Sequence, residues 1–423
     1  MNQRFRFSFS YFWFFLLASL HTWTLVISQR TALDSPENLQ LFRLLRVGAY
    51  NVLGRTGSEG RSLDTARSLN IVQAPIPKDV PFPCEVRGWR SSITPTSVHR
   101  LKPGDIDIIA SLGDSLSAGT GIFGSNIFHL LIDNRGAAAA GGGQGTWREY
   151  LTLPNMLKEY NPNLYGYAAA DFSTLEEGSK FNIAEAAAES KDMPYMALTL
   201  VKRLKNDPKV DMKKHWKHIS LMIGSNDFCS ELCYASSPSK LFKDHERDIV
   251  EALRIIRDNV PRAFVSLIPP PSLNALVATR EGRPSIYCDV ITDLECPCMF
   301  GLRYRKKRPE YYALMKRWQY LDIEISKYPE FQRDDFAVVA QPVLVNASIP
   351  VFKDGYTDMT YLAADCFHLT QKMNAVYANT LWNSLFLPLS KKPINMVLNF
   401  ENIQVTFDTR TSAITFCHFN GSQ

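Results

Sequence analysis

Four residues of the types that together carry out acyl transfer stand at the ends of apolar runs in this chain. The first is Ser115, in Gly113-Asp114-Ser115, just past the run Ile106 to Leu112. A serine placed there sits on a tight turn at the carboxyl end of a buried strand, where open α/β sheets put their chemistry. Asn226 follows a second run, in Gly224-Ser225-Asn226-Asp227, and Asp365 and His368 stand near the end in Asp365-Cys366-Phe367-His368. A serine hydroxyl is a poor nucleophile until a base takes its proton and a third group holds that base. The spacing therefore points to Ser115 as nucleophile, His368 as base and Asp365 as the acid that orients it. A developing oxyanion needs donors fixed beforehand. The Asn226 side-chain amide and the Ser115 backbone N–H supply two, and the segment from Asn182 into Ala186-Ala187-Ala188 supplies a third. Other histidines, such as His215, His218 and His245, show no acid-and-turn arrangement beside them in the sequence.

Residues so far apart converge only if regular elements carry them to one rim. Apolar strand patterns at Ile106 to Leu112, Leu164 to Ala170, His218 to Ile223, Ala263 to Ile268 and Phe336 to Ala340 alternate with helical patterns. The helices are expected at Trp147 to Tyr160, Pro194 to Lys205, Ser239 to Asp258, Pro309 to Lys327 and Thr370 to Phe386. Such alternation predicts a central parallel sheet covered on both faces, with right-handed crossovers bringing strand ends to one side. Gly119-x-Gly121-x-x-Gly124 matches a dinucleotide fingerprint in letters only. It follows the serine turn rather than the strand, and no acidic partner ends a following strand in the right place. The Gly141 to Gly145 run is expected to be a flexible surface turn, with an oxyanion loop as the alternative. No Gly-x-Ser-x-Gly surrounds any serine, which argues against the α/β-hydrolase fold.

Taken together, Gly113-Asp114-Ser115, Gly224-x-Asn226-Asp227 and Asp365-x-x-His368 resemble the GDSL (SGNH) hydrolases. The segments Pro95 to Leu101, Arg135 to Gly145 and Leu153-Pro154-Asn155-Met156-Leu157 look like the animal phospholipase B branch of that superfamily. The resemblance runs from about residue 80 to 420. It implies a flavodoxin-like three-layer α/β/α fold and hydrolysis of carboxylic esters, chiefly of phospholipids and lysophospholipids; no cofactor is expected, and no metal, since Cys296-Pro297-Cys298 has no second pair at zinc spacing. By matching motifs it implies Ser115, Asp365 and His368 as the triad, with Ser115, Asn226 and Ala187 around the oxyanion. The family usually has glycine where this chain has Ala187, and a positive φ there would strain an alanine. Membrane-bound relatives carry repeats and a carboxyl-terminal anchor, whereas a single unit with no anchor is expected here.

The chain of 423 residues is long enough for one large core or two modest ones, and 45% hydrophobic with 21% charged residues is ordinary for a globular protein, so disorder is not the default. Residues 1–29 have the order of a secretory signal: Arg4 and Arg6, an apolar run, then small residues, with cleavage expected near Ser28 to Arg30; a retained signal anchor is the alternative, since His21 and the threonines interrupt the apolar run. A helix and a surface-wrapping segment occupy 30–99, the hydrolase domain 100–390, and a tail 391–423. Eight cysteines fit an oxidising, extracellular compartment. Cys229 and Cys233 are close enough to close a small loop, and a Cys366 to Cys417 bridge would tie the tail beside the site. Asn346 and Asn420 are N-glycosylation acceptors. The net charge of +5 is too small and too dispersed for nucleic acid, and the densest basic patch is Arg303 to Arg308. That patch reads as a solvated loop, and it would also attract anionic phospholipid surfaces. The expected protein is a secreted esterase of phospholipids at a lipid–water interface. A carboxylesterase of other lipid esters and a catalytically weak lipid-binding protein are the alternatives.

Overall fold

The computed structural model describes residues 36–58, 60–282 and 285–396, and the backbone of two short strands at 403–406 and 418–421. The expected signal segment, Cys417 and the Asn420 side chain lie outside the described residues. In chain order the principal elements are α1 (Pro36–Leu53), α2 (Gly60–Ser68), β1 (Ile106–Gly113), α3 (Leu153–Tyr160), α4 (Met193–Asn206) and β2 (Trp216–Met222). There follow α5 (Pro238–Asn259), β3 (Ala263–Ile268), α6 (Asn274–Gly282), α7 (Ile286–Glu295), α8 (Arg308–Ile325), β4 (Phe336–Ala340) and α9 (Gln371–Leu385). The strands at Ile403–Thr406 and His418–Gly421 form a separate antiparallel pair.

The four main strands form one parallel sheet in the order β1-β2-β3-β4. They are buried on both faces almost throughout because helices cover both. Ile109, Met222, Phe264 and Ile268 pack toward α3 and α9. Ile108, Ala110, Leu112, Ile219, Leu221, Val265 and Leu267 pack toward α4 and α5. This is the expected three-layer α/β/α arrangement. Helix starts follow local chemistry. Ser237 caps α5 by accepting from the Lys240 N–H, with Pro238 in the first turn. Thr152 caps α3 in the same way, with Pro154 next to the start. That is why this helix begins at Leu153 rather than at Trp147, as the pattern alone predicts.

The predicted strand Leu164 to Ala170 does not form. Tyr165 exchanges backbone bonds with β1, its N–H donating to the Asp107 carbonyl and its carbonyl accepting the Ile109 N–H, each at 2.9 Å. The chain then leaves the sheet at Gly166, whose φ is +103° and where a Cβ would sit 2.4 Å from the Ile109 carbonyl oxygen. It returns at Phe181 to Ile183, which resumes pairing with Ser111. Two short pieces thus share the β1 edge, second in chain order, so the positions run 2-1-3-4-5 as in flavodoxin-like sheets. The excursion between them carries the chain to the site.

The disulfides also differ from expectation. Cys229 pairs with Cys296, Cys233 with Cys298, and Cys366 with Cys288. Cys229 and Cys233 lie one helical turn apart and face the same neighbour, the turn Pro297–Phe300 that follows α7. They therefore clamp two segments together instead of closing a loop on themselves. Closing loops of this length removes roughly 4 kcal/mol of unfolded-chain freedom apiece. These three bridges fasten the insertion between β3 and α8 to the rim of the sheet.

Candidate active site

Strand β1 delivers Ser115. Gly113, its last residue, has a φ of +143°, and a Cβ there would lie 2.2 Å from the Met222 carbonyl oxygen. Only glycine lets the backbone turn this close to β2. The next residue, Asp114, caps a single helical turn, Ser115–Ala118, its Oδ1 accepting the Leu116 N–H at 3.0 Å. Ser115 is the first residue of that turn, so its N–H has no acceptor within it, and it has none elsewhere among the described residues. Burial pushes the Asp114 carboxyl up to about 7, against the Leu116 N–H.

The loop after β4 delivers the base. Asp365, fully buried, accepts the N–H groups of Phe367 and His368 on Oδ1, each at 3.0 Å. Its Oδ2 accepts a hydrogen bond from His368 Nδ1–H. That fixes the tautomer, leaving Nε2 as acceptor, and the Ser115 hydroxyl lies 2.7 Å from it. Ser115, His368 and Asp365 are thus joined in one line across 253 residues of sequence. Burial pulls the His368 pKa down, but the Asp365 carboxylate and its hydrogen bond win, aided by Glu295 and Asp114, and hold it above the ordinary imidazole value. Burial acts the other way on Asp365. The facing imidazole and the two N–H donors still keep its carboxyl below the usual range. Cys366, between the pair, has a φ of +60° and is tied by its disulfide to α7.

Glu295, the last residue of α7, completes this cluster and is not legible in the sequence. Its carboxyl, Asp365 and His368 hold one oxygen or nitrogen each within 4.8 Å of one another. Such a spread also occurs in metal sites, but both His368 ring nitrogens are committed, Nδ1 to Asp365 and Nε2 to Ser115. The cluster therefore offers acid–base geometry rather than a nitrogen ligand. Burial pushes Glu295 up to about 7, opposed by His368 and reinforced by Asp365. Removing its negative charge leaves the His368 imidazolium less favoured, so the imidazole pKa falls. Glu295→Gln is accordingly expected to move the acidic limb of kcat/KM to lower pH. A limb that stays in place, or moves to higher pH, would show that Glu295 does not act on His368.

Residues 182–190 form the opposite wall. The Glu185 N–H donates to the Gly113 carbonyl at 3.0 Å, fastening the segment to the end of β1. Asn226, four residues past β2 at the start of the helical turn Asp227–Glu231, donates one side-chain N–H to the Ala188 carbonyl at 2.8 Å. The Ser190 N–H meets the Asp227 carboxylate. Helix α1 adds Arg43, whose Nε donates to Glu185 at 2.6 Å. Between these ties Ala187 adopts a φ of +64°, and its N–H has no partner among the described residues. An alanine in the left-handed region costs about 1 kcal/mol relative to glycine. Ala187→Gly is therefore expected to raise the unfolding free energy by about that amount while keeping or raising turnover. Loss of both stability and turnover in that variant would mean the methyl group is needed where it stands. The Gly141–Gly143 run is not a surface turn. It is buried behind this wall, and a Cβ at Gly141 would lie 2.9 Å from Ser111 Cβ and Asn182 Nδ2.

The remaining histidines take other parts. His218 lies in the core, bonded to the Ser266 hydroxyl at 2.9 Å and pushed down to about 3 by burial, so it stays neutral. His245 does have an acid beside it, contrary to the sequence reading. Its Nε2 meets Asp322 at 2.8 Å and its Nδ1 the Ser190 hydroxyl at 2.7 Å. This second Ser–His–Asp array is fully buried, stacks on Trp318 and braces the segment behind Ala188.

A narrow, almost wholly apolar cavity opens beside Ser115. Leu116, Leu273, Leu276, Phe367, Leu369 and Met373 line it, so the residues that follow the serine and flank the histidine are part of its wall. Phe367 packs edge-on against the His368 ring, 5.3 Å between centroids. A larger open cleft lies elsewhere, along Thr174 to Lys180 and Arg203 to Pro208, with charged walls and no serine or cysteine in its lining.

The family model described as GDSL-like Lipase/Acylhydrolase matches residues 109–381, from β1 into α9, and the chain belongs to that family. Among curated proteins it is similar to "Phospholipase B1, membrane-associated" of Homo sapiens, 36% identical over 310 residues, and of Rattus norvegicus, 34% identical over 304. These matches take in 72% and 71% of the chain but only 20% of each relative, so the chain spans a fifth of their length. A crystal structure of phospholipase A1 from Streptomyces albidoflavus NA297 aligns over 64% of this chain and 95% of its own, at 14% identity and a TM-score of 0.30.

Proposed function

We propose that this protein is a serine esterase that hydrolyses acyl esters of phospholipids and lysophospholipids through an acyl-enzyme. The observation that carries the reading is the apolar cavity whose wall begins at the residue after Ser115. Its lining matches the alkyl part of an acyl ester in chemistry, and at about 50 Å³ it takes the part of the chain next to the carbonyl, which is left at the serine. His368 Nε2 takes the Ser115 proton as Oγ attacks that carbonyl. The imidazolium formed is held by Asp365. The N–H groups of Ser115 and Ala187 and the free N–H of Asn226 receive the oxyanion. His368 then gives the proton to the departing glycerol oxygen, and a water activated by the same imidazole releases the fatty acid. The names of the curated relatives support phospholipid as the substrate class. Secretion is part of the proposal, supported by the signal-like segment and the disulfides among the described cysteines.

The deciding experiment measures fatty-acid release from phosphatidylcholine, lysophosphatidylcholine and triglyceride by protein from culture medium, alongside labelling with a fluorophosphonate. Labelling at Ser115 with release from both phospholipids is expected. Release from triglyceride or small esters alone would make it a carboxylesterase. Binding of lipid without labelling would make it a lipid-binding protein on the same scaffold.

A further inference from the structure

Helix α7 is built inside out for a surface helix. Its inner face carries Cys288, bonded to Cys366, with Thr292 and Glu295. Its outer face carries Ile286, Tyr287, Val290 and Leu294, which fall on one side at helical spacing and are 85, 49, 54 and 75% exposed. A short helix with four large apolar side chains turned to solvent is costly unless something covers it. The charges beside it indicate what does. Val290 shares a groove with Leu302 and Arg305, and Leu302 is itself 84% exposed. Arg303, Lys306 and Lys307 follow in the same helical stretch, Leu302–Lys307, and are exposed as well. The acids of α7 do not cancel them. Asp289 pairs with Arg280, and Asp293 lies on the groove wall with Arg305 and Arg308.

From this we infer that the α7 face and the Leu302–Lys307 stretch form a docking surface for an anionic phospholipid bilayer. The inference rests on the phospholipid-esterase reading and names the surface from which that site draws its substrate. Apolar side chains flanked by basic ones are the pattern of interfacial binding, the former entering the acyl boundary and the latter meeting lipid phosphates. Position strengthens the case. Helix α7 touches the His368 loop through Glu295 and the Cys288–Cys366 bridge, and Leu273 and Leu276 beside it wall the acyl cavity. A bilayer seated on α7 therefore lies next to the cavity that would take its chains. Helix α1 also exposes leucines, Leu41, Leu44 and Leu45, but its arginines are spent internally, Arg43 on Glu185 and Arg46 on Asp133.

The test uses the Ser115→Ala chain, which leaves the lipid intact, and sedimentation with vesicles of phosphatidylcholine with or without about one third phosphatidylserine. The double variant Val290→Asp, Leu294→Asp is expected to lower partitioning about tenfold or more on both vesicles. The triple variant Arg303→Ala, Lys306→Ala, Lys307→Ala is expected to lower it on the anionic vesicles alone and to flatten its dependence on salt. In the chain with Ser115 restored, the same changes should reduce release from vesicles and leave a water-soluble short-chain ester unaffected, which also shows that the variants fold. Unaltered partitioning of the double variant would overturn the inference. So would an equal loss from Leu41→Asp with Leu45→Asp in α1. Fatty-acid release by the parent chain with normal docking of the α7 variants would remove this surface but keep the esterase. Docking through α7 without any release would do the reverse.

Discussion

Ser115→Ala and His368→Ala are each expected to lower turnover on a phospholipid ester by about 10⁶-fold, with the double variant little worse than either. The reason is geometric. The two side chains share one hydrogen bond of 2.7 Å, so removing either end abolishes the same proton transfer. Asp365→Asn is expected to cost less, about 10⁴-fold. Its amide can still hold the ring, but it does not take the Nδ1 proton, and the imidazole settles in the wrong tautomer. Initial rates on monomeric lysophospholipid, with fluorophosphonate labelling as a parallel count of activated serines, measure all four proteins. A folded Ser115→Ala protein that retains a tenth of the parent rate would disprove the nucleophile assignment. Additive losses in the double variant would mean that Ser115 and His368 do not act as one unit.

Asn226→Ala is expected to lower turnover by about 10²–10³-fold with only a modest change in KM, the usual cost of one oxyanion donor. The same side chain also holds the Ala188 carbonyl, so its loss leaves that acceptor unpaired and should cost about 1–2 kcal/mol of stability. The two effects separate experimentally. A denaturant titration reads the second, and rates taken well below the unfolding midpoint read the first. Ala187→Gly supplies the contrast, since it changes the same wall without removing a donor. If Asn226→Ala loses stability but keeps its turnover, Asn226 is a brace for the loop and the oxyanion has other donors.

Much of this arrangement follows from local pattern. Strands β1, β3 and β4 begin at the residues their apolar runs predict, and β2 is shifted by only two at its start. A buried parallel strand needs little but a short β-branched run and a breaker after it. Ser115, Asn226, Asp365 and His368 are legible for the same reason, since each lies just beyond such a run or before a capped helix. The GDSL-type order of these motifs also foretold the family. Features that depend on partners distant in sequence were not legible. The β1 edge is divided between Tyr165 and Phe181–Ile183 because Gly166 meets the Ile109 carbonyl, a contact that no run of letters within the segment contains. Cysteine pairing was decided by which segments the insertion between β3 and α8 lies against, not by spacing. Glu295 reaches His368 only because that insertion folds back over the sheet rim, and His245 finds Asp322 only because α5 and α8 pack together. The acyl cavity and the outward apolar face of α7 arise from the same folding-back. Sequence specifies which residues could react, because strand ends and turns are local; their neighbours and surroundings come from packing, which joins residues tens to hundreds of positions apart.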